Sequence, residues 1–151
     1  MHACTDGSTC PDTGNSSHSW VFANGLDQIV CSGAGPDDGH PTLMSSYRLE
    51  LGGLLASVYI FIPYATIITL ISKVTLYCDN KGALTNALKR APPGISPYTT
   101  SDYDLLGLLR HFITIIPVTI LGEWVRAIIM ELIDSLNVNL MKGLTRSLVT
   151  T

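Results

Sequence analysis

Three carboxylates stand where they can act together. Asp6 follows a short apolar run in TDGS, Glu50 lies in YRLELGG near the start of a helical pattern, and Asp79 closes a β-branched run in LYCDNKGAL. If the first and fourth strands of a sheet are neighbours, Asp6 and Asp79 end side by side, and Glu50 reaches over from the helix packed on that sheet. Three carboxylates that converge without a basic partner repel one another. A hard divalent cation such as Mg²⁺, which takes oxygen ligands and keeps some of its waters, relieves that repulsion. Singly, each acid has an ordinary reading: an Asp-Gly turn, a residue complementing a helix dipole, a helix cap. Only their order and placement make a cluster.

The elements that would position these acids can be read along the chain. HACT predicts a short first strand, followed by a polar turn. Ser19–Ala23 and Gln28–Ser32 flank Asn24-Gly25 and predict a hairpin. Ser45-Ser46 can cap a helix whose apolar spacing runs through Leu49, Leu51, Leu54, Leu55, Val58, Tyr59 and Ile62, with Pro63 expected to end or kink it. A shorter helical piece is expected over Ala65–Ser72. Lys73–Cys78 predicts a strand and Ala83–Arg90 a short helix. Ser101 and Asp104 resemble a capping box ahead of a helix with Leu105, Leu106, Leu109, Phe112 and Ile113 on its apolar face. Pro117 opens another strand, PVTILGEWV, and residues 127–151 predict a last apolar helix. Hairpin strands followed by alternating helices and strands predict an α/β fold, a five-stranded mixed sheet with helices on both faces. Trp20 and Trp124 fall in strands and are expected in the core.

With 151 residues the chain is long enough for one domain, expected to span 1–151. The 46% apolar content excludes a disordered chain, and a net charge of −3 excludes a strongly basic nucleic-acid coat, though not a local basic strip such as Lys81 with Lys89-Arg90. Cys4, Cys10, Cys31 and Cys78 form no CxxC pair, so they are expected to be reduced thiols of an intracellular protein rather than zinc ligands or a disulfide scaffold. His2, His18, His40 and His111 are scattered and read as structural or surface residues. Residues 51–72 carry no charge and are long enough to span a bilayer, but Gly52, Gly53 and Pro63 interrupt them and no Lys/Arg cluster flanks them, so a membrane location is not favoured.

The succession of TDGS, SYRLELGGLLA and YCDNKGAL resembles the type 1 ribonuclease H family, most closely the ribonuclease H domain of retroelement reverse transcriptases. SWVFANGLDQIVCSG fits the second and third strands of that fold, and SDYDLLGLLRHF with PVTILGEWVR fits a later helix and the fifth strand. The resemblance spans about residues 3–142. It implies a ribonuclease H-like fold and a metal-dependent endonuclease that hydrolyses the RNA strand of RNA–DNA hybrids with Mg²⁺ or Mn²⁺. Two ions about 3.5–4 Å apart would be held by Asp6, bridging, and by Glu50 and Asp79. Ser8 and Asn80 would contact the sugar-phosphate backbone, and the hybrid would be recognised by groove width and 2′-hydroxyls. The rest of a reverse transcriptase polyprotein is an implied partner, and the cytoplasm or nucleus the implied place.

The chain departs from that family in its last third. After Trp124-Val125 the family carries Lys-Gly-His, whereas here Arg126 stands in the lysine position and Ile128 in that of the histidine. Met141 occupies the position of a fourth carboxylate, with Glu131 and Asp134 one to three turns too early. These departures keep two alternatives open: a catalytically inactive ribonuclease H-like module in a larger polyprotein, and, from residues 51–72, a small membrane protein. The first motif begins a few residues after Met1, as expected of a piece of a longer reading frame.

Overall fold

The alternation in β1 (His2–Thr9) sets the frame. Ala3 and Thr5 are buried, while His2, Cys4 and Asp6 between them are only partly so. The computed structural model describes residues 1–10, 12–37, 44–67, 71–89 and 102–126. Around β1 it places β2 (Ser16–Ala23), β3 (Ile29–Pro36), β4 (Lys73–Cys78) and β5 (Thr119–Trp124) in the order β3-β2-β1-β4-β5. β1 pairs with β2 antiparallel and with β4 parallel, and β5 adds to β4 in parallel. The mixed five-stranded sheet expected from the sequence is therefore present.

Strand β1 runs past HACT to Thr9, so Asp6 lies inside the strand rather than after it. Asp6 and Gly7 are poor strand formers by composition, but β2 supplies the partners, Asp6 opposite Ser19 and Gly7 opposite His18. Cross-strand pairing overrides local propensity here. The expected hairpin is present, with β2 starting at Ser16 rather than Ser19, β3 running on from Ser32 to Pro36, and a change in the turn. Asn24 Oδ1 accepts from the Leu26 and Gln28 amides at 2.8 and 3.1 Å, and the residue in the left-handed region is Asp27 (φ 57°), not Gly25.

Helix α1 (Ser46–Ile67) starts at Ser45, whose Oγ accepts from the Arg48 amide at 3.1 Å. It passes through Pro63 to Ile67 instead of ending there, taking in the start of the helical piece expected over Ala65–Ser72, of which residues 68–70 lie outside the described residues. Pro63 lies on the exposed side with Tyr59, whose carbonyl is the one deprived of a donor. Water can satisfy it, so the proline costs less than in a dry interior. Leu51, Leu54, Val58 and Phe61 are buried beneath the helix, and Phe61 stacks on Phe22 of β2. Residues 51–67 of the uncharged run thus belong to a core helix. Among the described residues no helix is long and apolar enough to cross a membrane.

Helices α2 (Lys81–Leu88) and α3 (Tyr103–Ile115) pack against α1 and each other. Register shows that α1 and α2 share one face of the sheet. Ala3 pairs with Leu76 and Leu76 with Gly122, so these three point the same way. Gly7, of the same parity as Ala3, lies under Leu49 of α1, and Gly122 lies under Leu84 and Leu88 of α2. The expectation of helices on both faces is not met by the described helices, and the helix expected over 127–151 lies outside the described residues. Ser101, the other half of the expected capping box, lies outside the described residues. Asp102 is the N-cap, and Asp104 pairs with Arg48 of α1 at 2.9 Å, alongside an Arg48–Asp102 contact of 2.8 Å. Because this fork ties the start of α1 to the start of α3, Arg48→Ala is expected to cost roughly 1–2 kcal/mol. Urea denaturation with and without salt measures it, and screening should shrink the difference.

Candidate metal centre

Asp79 sits in the short bend between β4 and α2. Asn80 forms that bend by capping α2, its Oδ1 accepting from the Ala83 amide at 3.0 Å. Glu50 comes to the same point from the second turn of α1. Its residue is 1% exposed, its Oε1 accepts from the Gly7 amide at 3.1 Å, and its Oε2 accepts from the Cys78 thiol at 3.4 Å. Glu50, Cys78 and Asp79 each bring one ligand-type atom to within 4.8 Å of the others.

The electrostatics follow from this geometry. Burial, then the Asp79 charge, and to a lesser degree Asp6 push the Glu50 carboxyl up to about 8, against a smaller opposing effect of the Cys78 hydrogen bond. Burial and the Glu50 charge push the Cys78 thiol up to about 12. The thiol therefore stays protonated at neutral pH and serves as a donor to Glu50. Among the described residues no Lys or Arg pairs with Glu50 or Asp79. Two carboxylates forced together without a counter-charge suit a hard divalent cation with oxygen ligands, and the protonated sulfur is the poor partner in that set.

Asp6 is held differently. The parallel register pairs Cys4 with Tyr77, and Asp6 and Asp79 each stand two residues beyond that last pair. Asp6 alternates with Thr5 and Gly7, so its side chain leaves β1 on the face opposite α1. Its charge reaches Glu50, but it is not one of the three groups within 4.8 Å. Ser8 is exposed, its Oγ 3.2 Å from that of Ser17, and Arg126 is exposed just beyond β5. Asn80 lies beside Asp79 with its side-chain oxygen committed to the cap. Ile128, Glu131, Asp134 and Met141, like Arg90, lie outside the described residues. Cys4, Cys10, Cys31 and Cys78 form no disulfide.

Three contributors to the site were not visible as such in the sequence. Cys78 was read only as a reduced thiol, although its position beside Asp79 was a signal. Trp124 was expected in the core but is 46% exposed, with its indole Nε1 donating to the Asp79 carbonyl at 2.7 Å. Gly7 is more than half of a turn pair: a Cβ there would lie 2.6 Å from Leu49 Cβ and 2.8 Å from the Leu49 carbonyl carbon. That close approach lets the Gly7 amide reach Glu50. Gly7→Ala is expected to lift α1 from β1 at a cost of about 1–3 kcal/mol and to weaken divalent-ion binding, as read by thermal unfolding and calorimetry.

No protein-family model matches the chain, and no curated protein sequence does either. Solved structures do. RNase H1 from the halophilic archaeon Halobacterium salinarum superposes with a TM-score of 0.61 at 18% identity, over 83% of this chain and 84% of that one. LC11-RNase H1, isolated from compost by a metagenomic approach, gives 0.67 at 11% identity over 95% and 96%. That protein has also been solved in complex with an RNA/DNA hybrid. The foamy viral protease-reverse transcriptase, solved in complex with RNA/DNA hybrid, gives 0.58 at 11% identity over 81% of this chain and 17% of that one.

Proposed function

From the premise that this chain has a ribonuclease H-like fold, we propose that it is a divalent-metal-dependent endonuclease that hydrolyses the RNA strand of RNA–DNA hybrids. The observation that carries the reading is the approach of buried Glu50 of α1 to half-buried Asp79 just past β4, one strand from Asp6, with no counter-charge to that pair from a described residue. The hybrid complexes of LC11-RNase H1 and of the foamy viral enzyme support the substrate class. The foamy viral likeness and the three acidic motifs support a retroelement origin, a single domain over 1–151 attached to a reverse transcriptase polyprotein, and work in the cytoplasm or nucleus.

Asp6, Glu50 and Asp79 would hold Mg²⁺ or Mn²⁺. Bound there, the metal supplies an activated water and positive charge for the leaving 3′-oxygen. The chain's own part is positional. Gly7 N–H and the Cys78 thiol hold the two Glu50 oxygens, and burial keeps that carboxylate from turning to solvent. Ser8, Asn80 through its amide nitrogen, and Arg126 would meet the sugar-phosphate backbone. Arg126 is the strongest of these for a phosphate oxygen, since its charge is permanent.

The test is cleavage of an end-labelled RNA–DNA hybrid with Mg²⁺ or Mn²⁺, beside single-stranded RNA and duplex DNA of the same sequence. Metal-dependent cleavage confined to the hybrid's RNA strand is expected. Folded protein that leaves the hybrid intact would overturn the reading in favour of the inactive module, which the residues at Ile128 and Met141 favour. In that case Ile128→His with Met141→Asp should restore cleavage if those two positions are the cause.

A further inference from the structure

Asp79 belongs to neither element beside it, because β4 ends at Cys78 and α2 begins at Lys81. A carboxylate on such a bend keeps its place only if the main chain around it is tied on every side. The α2 side is tied by the Asn80 cap, with the Leu84 amide also donating to the Asn80 carbonyl at 3.1 Å. The β4 side is tied by the Asn80 amide donating to Cys78 Sγ at 3.4 Å. From the end of β5 and the residue after it come two bonds. Val125 N–H donates to the Cys78 carbonyl at 3.1 Å, and Trp124 Nε1 donates to the Asp79 carbonyl at 2.7 Å. The first continues the backbone ladder and any non-proline residue could make it. The second requires a long side chain with a fixed donor, and the indole N–H is a donor only.

Packing does not explain a tryptophan here. Trp124 leaves 46% of its surface in water, which forgoes much of what burying an indole would gain. Its register partner is Cys78, one residue before the bend, so its indole is placed to reach over the end of β4. Resting on the metal-centre reading above, we infer that Trp124 is a positioning residue for Asp79: its indole N–H fixes the Asp79 main chain and so holds that carboxylate against Glu50 for the cation. This makes β5 a support of the metal centre rather than only the edge of the sheet.

The decisive variant replaces Trp124 with benzothienylalanine, which keeps the ring's shape and exchanges N–H for sulfur; Trp124→Phe is the genetically simpler companion. In the metal-free protein, amide order parameters at Asp79 and Asn80 are expected to fall from values near 0.85, typical of rigid backbone, toward the flexible range, while those of β1 and α1 stay unchanged. Mn²⁺ affinity measured by calorimetry is expected to fall about 10-fold, the lower end of the effect of removing an outer partner of a metal ligand. KM for the hybrid should move little, and excess Mn²⁺ should recover the rate. Unchanged order at Asp79 and Asn80 would overturn the inference, and so would a Mn²⁺ affinity equal to that of the unmodified chain. The order parameters need neither metal nor substrate. A chain that fails to cleave hybrids but loosens at Asp79 would thus refute the proposed activity and leave the role of Trp124 standing.

Discussion

Asp79→Asn should lower metal-dependent hybrid cleavage by about 10³-fold or more, some 4 kcal/mol of transition-state stabilisation, while making the metal-free protein more stable. The two effects have one cause. Asp79 is the largest charge acting on buried Glu50, so removing it takes a ligand from the proposed cation site and relieves the repulsion that a bound cation would offset. Cleavage rate and metal-free Tm, measured on the same preparation at pH 7.5, should move in opposite directions. A variant that lost activity together with stability would show that Asp79 holds the bend rather than the metal. A variant that kept activity would show that the carboxylates of this chain do not form a catalytic centre.

The metal-free protein should lose stability as pH rises from about 5 to 8. Glu50 is raised from an ordinary 4.5 to about 8 in the folded chain, so within that window the folded state holds a proton that the unfolded state has released. The stability this proton contributes is fully present below pH 4.5 and is lost as pH climbs through 8, at about 1.4 kcal/mol per unit. For a chain of this size that is a Tm decrease of roughly 5–10 °C between pH 5.5 and 7.5. Saturating Mg²⁺ should flatten the slope, because a bound cation takes the proton's place. Glu50→Gln should flatten it without metal. A metal-free Tm independent of pH across this window, in the unsubstituted chain, would show that Glu50 is ionised and that the site is wetter than its burial indicates.

These outcomes depend on a site that was only partly legible in the sequence. Glu50 and Asp79 could be picked out because each stands at the edge of a periodic run, one at a helix start and one at a strand end. Helical spacing and β-branching are local properties that need no partner to be read. The hairpin was legible for the same reason, since Asn24 is a strong turn residue wherever it stands. The end of β1 was not, because Asp6 and Gly7 read as a turn and become strand only through pairing with β2. Neither was the continuation of α1 through Pro63, which depends on the wet side of the helix being available to the freed carbonyl.

The sequence by itself determined the acids, their order along the chain and the alternation of strands and helices, and hence a mixed sheet carrying a carboxylate at each of two neighbouring strands. Tertiary structure alone decided which groups meet. Strand parity turned Asp6 to the face opposite α1. The close approach allowed by Gly7 brought Glu50 to the Gly7 amide, and register set Trp124 beside Cys78 so that its indole reaches Asp79. The physical reason is common to all three. Periodicity is written residue by residue, but a contact between residues 43 or 45 apart is fixed by which strands pair and how closely a helix can lie on them.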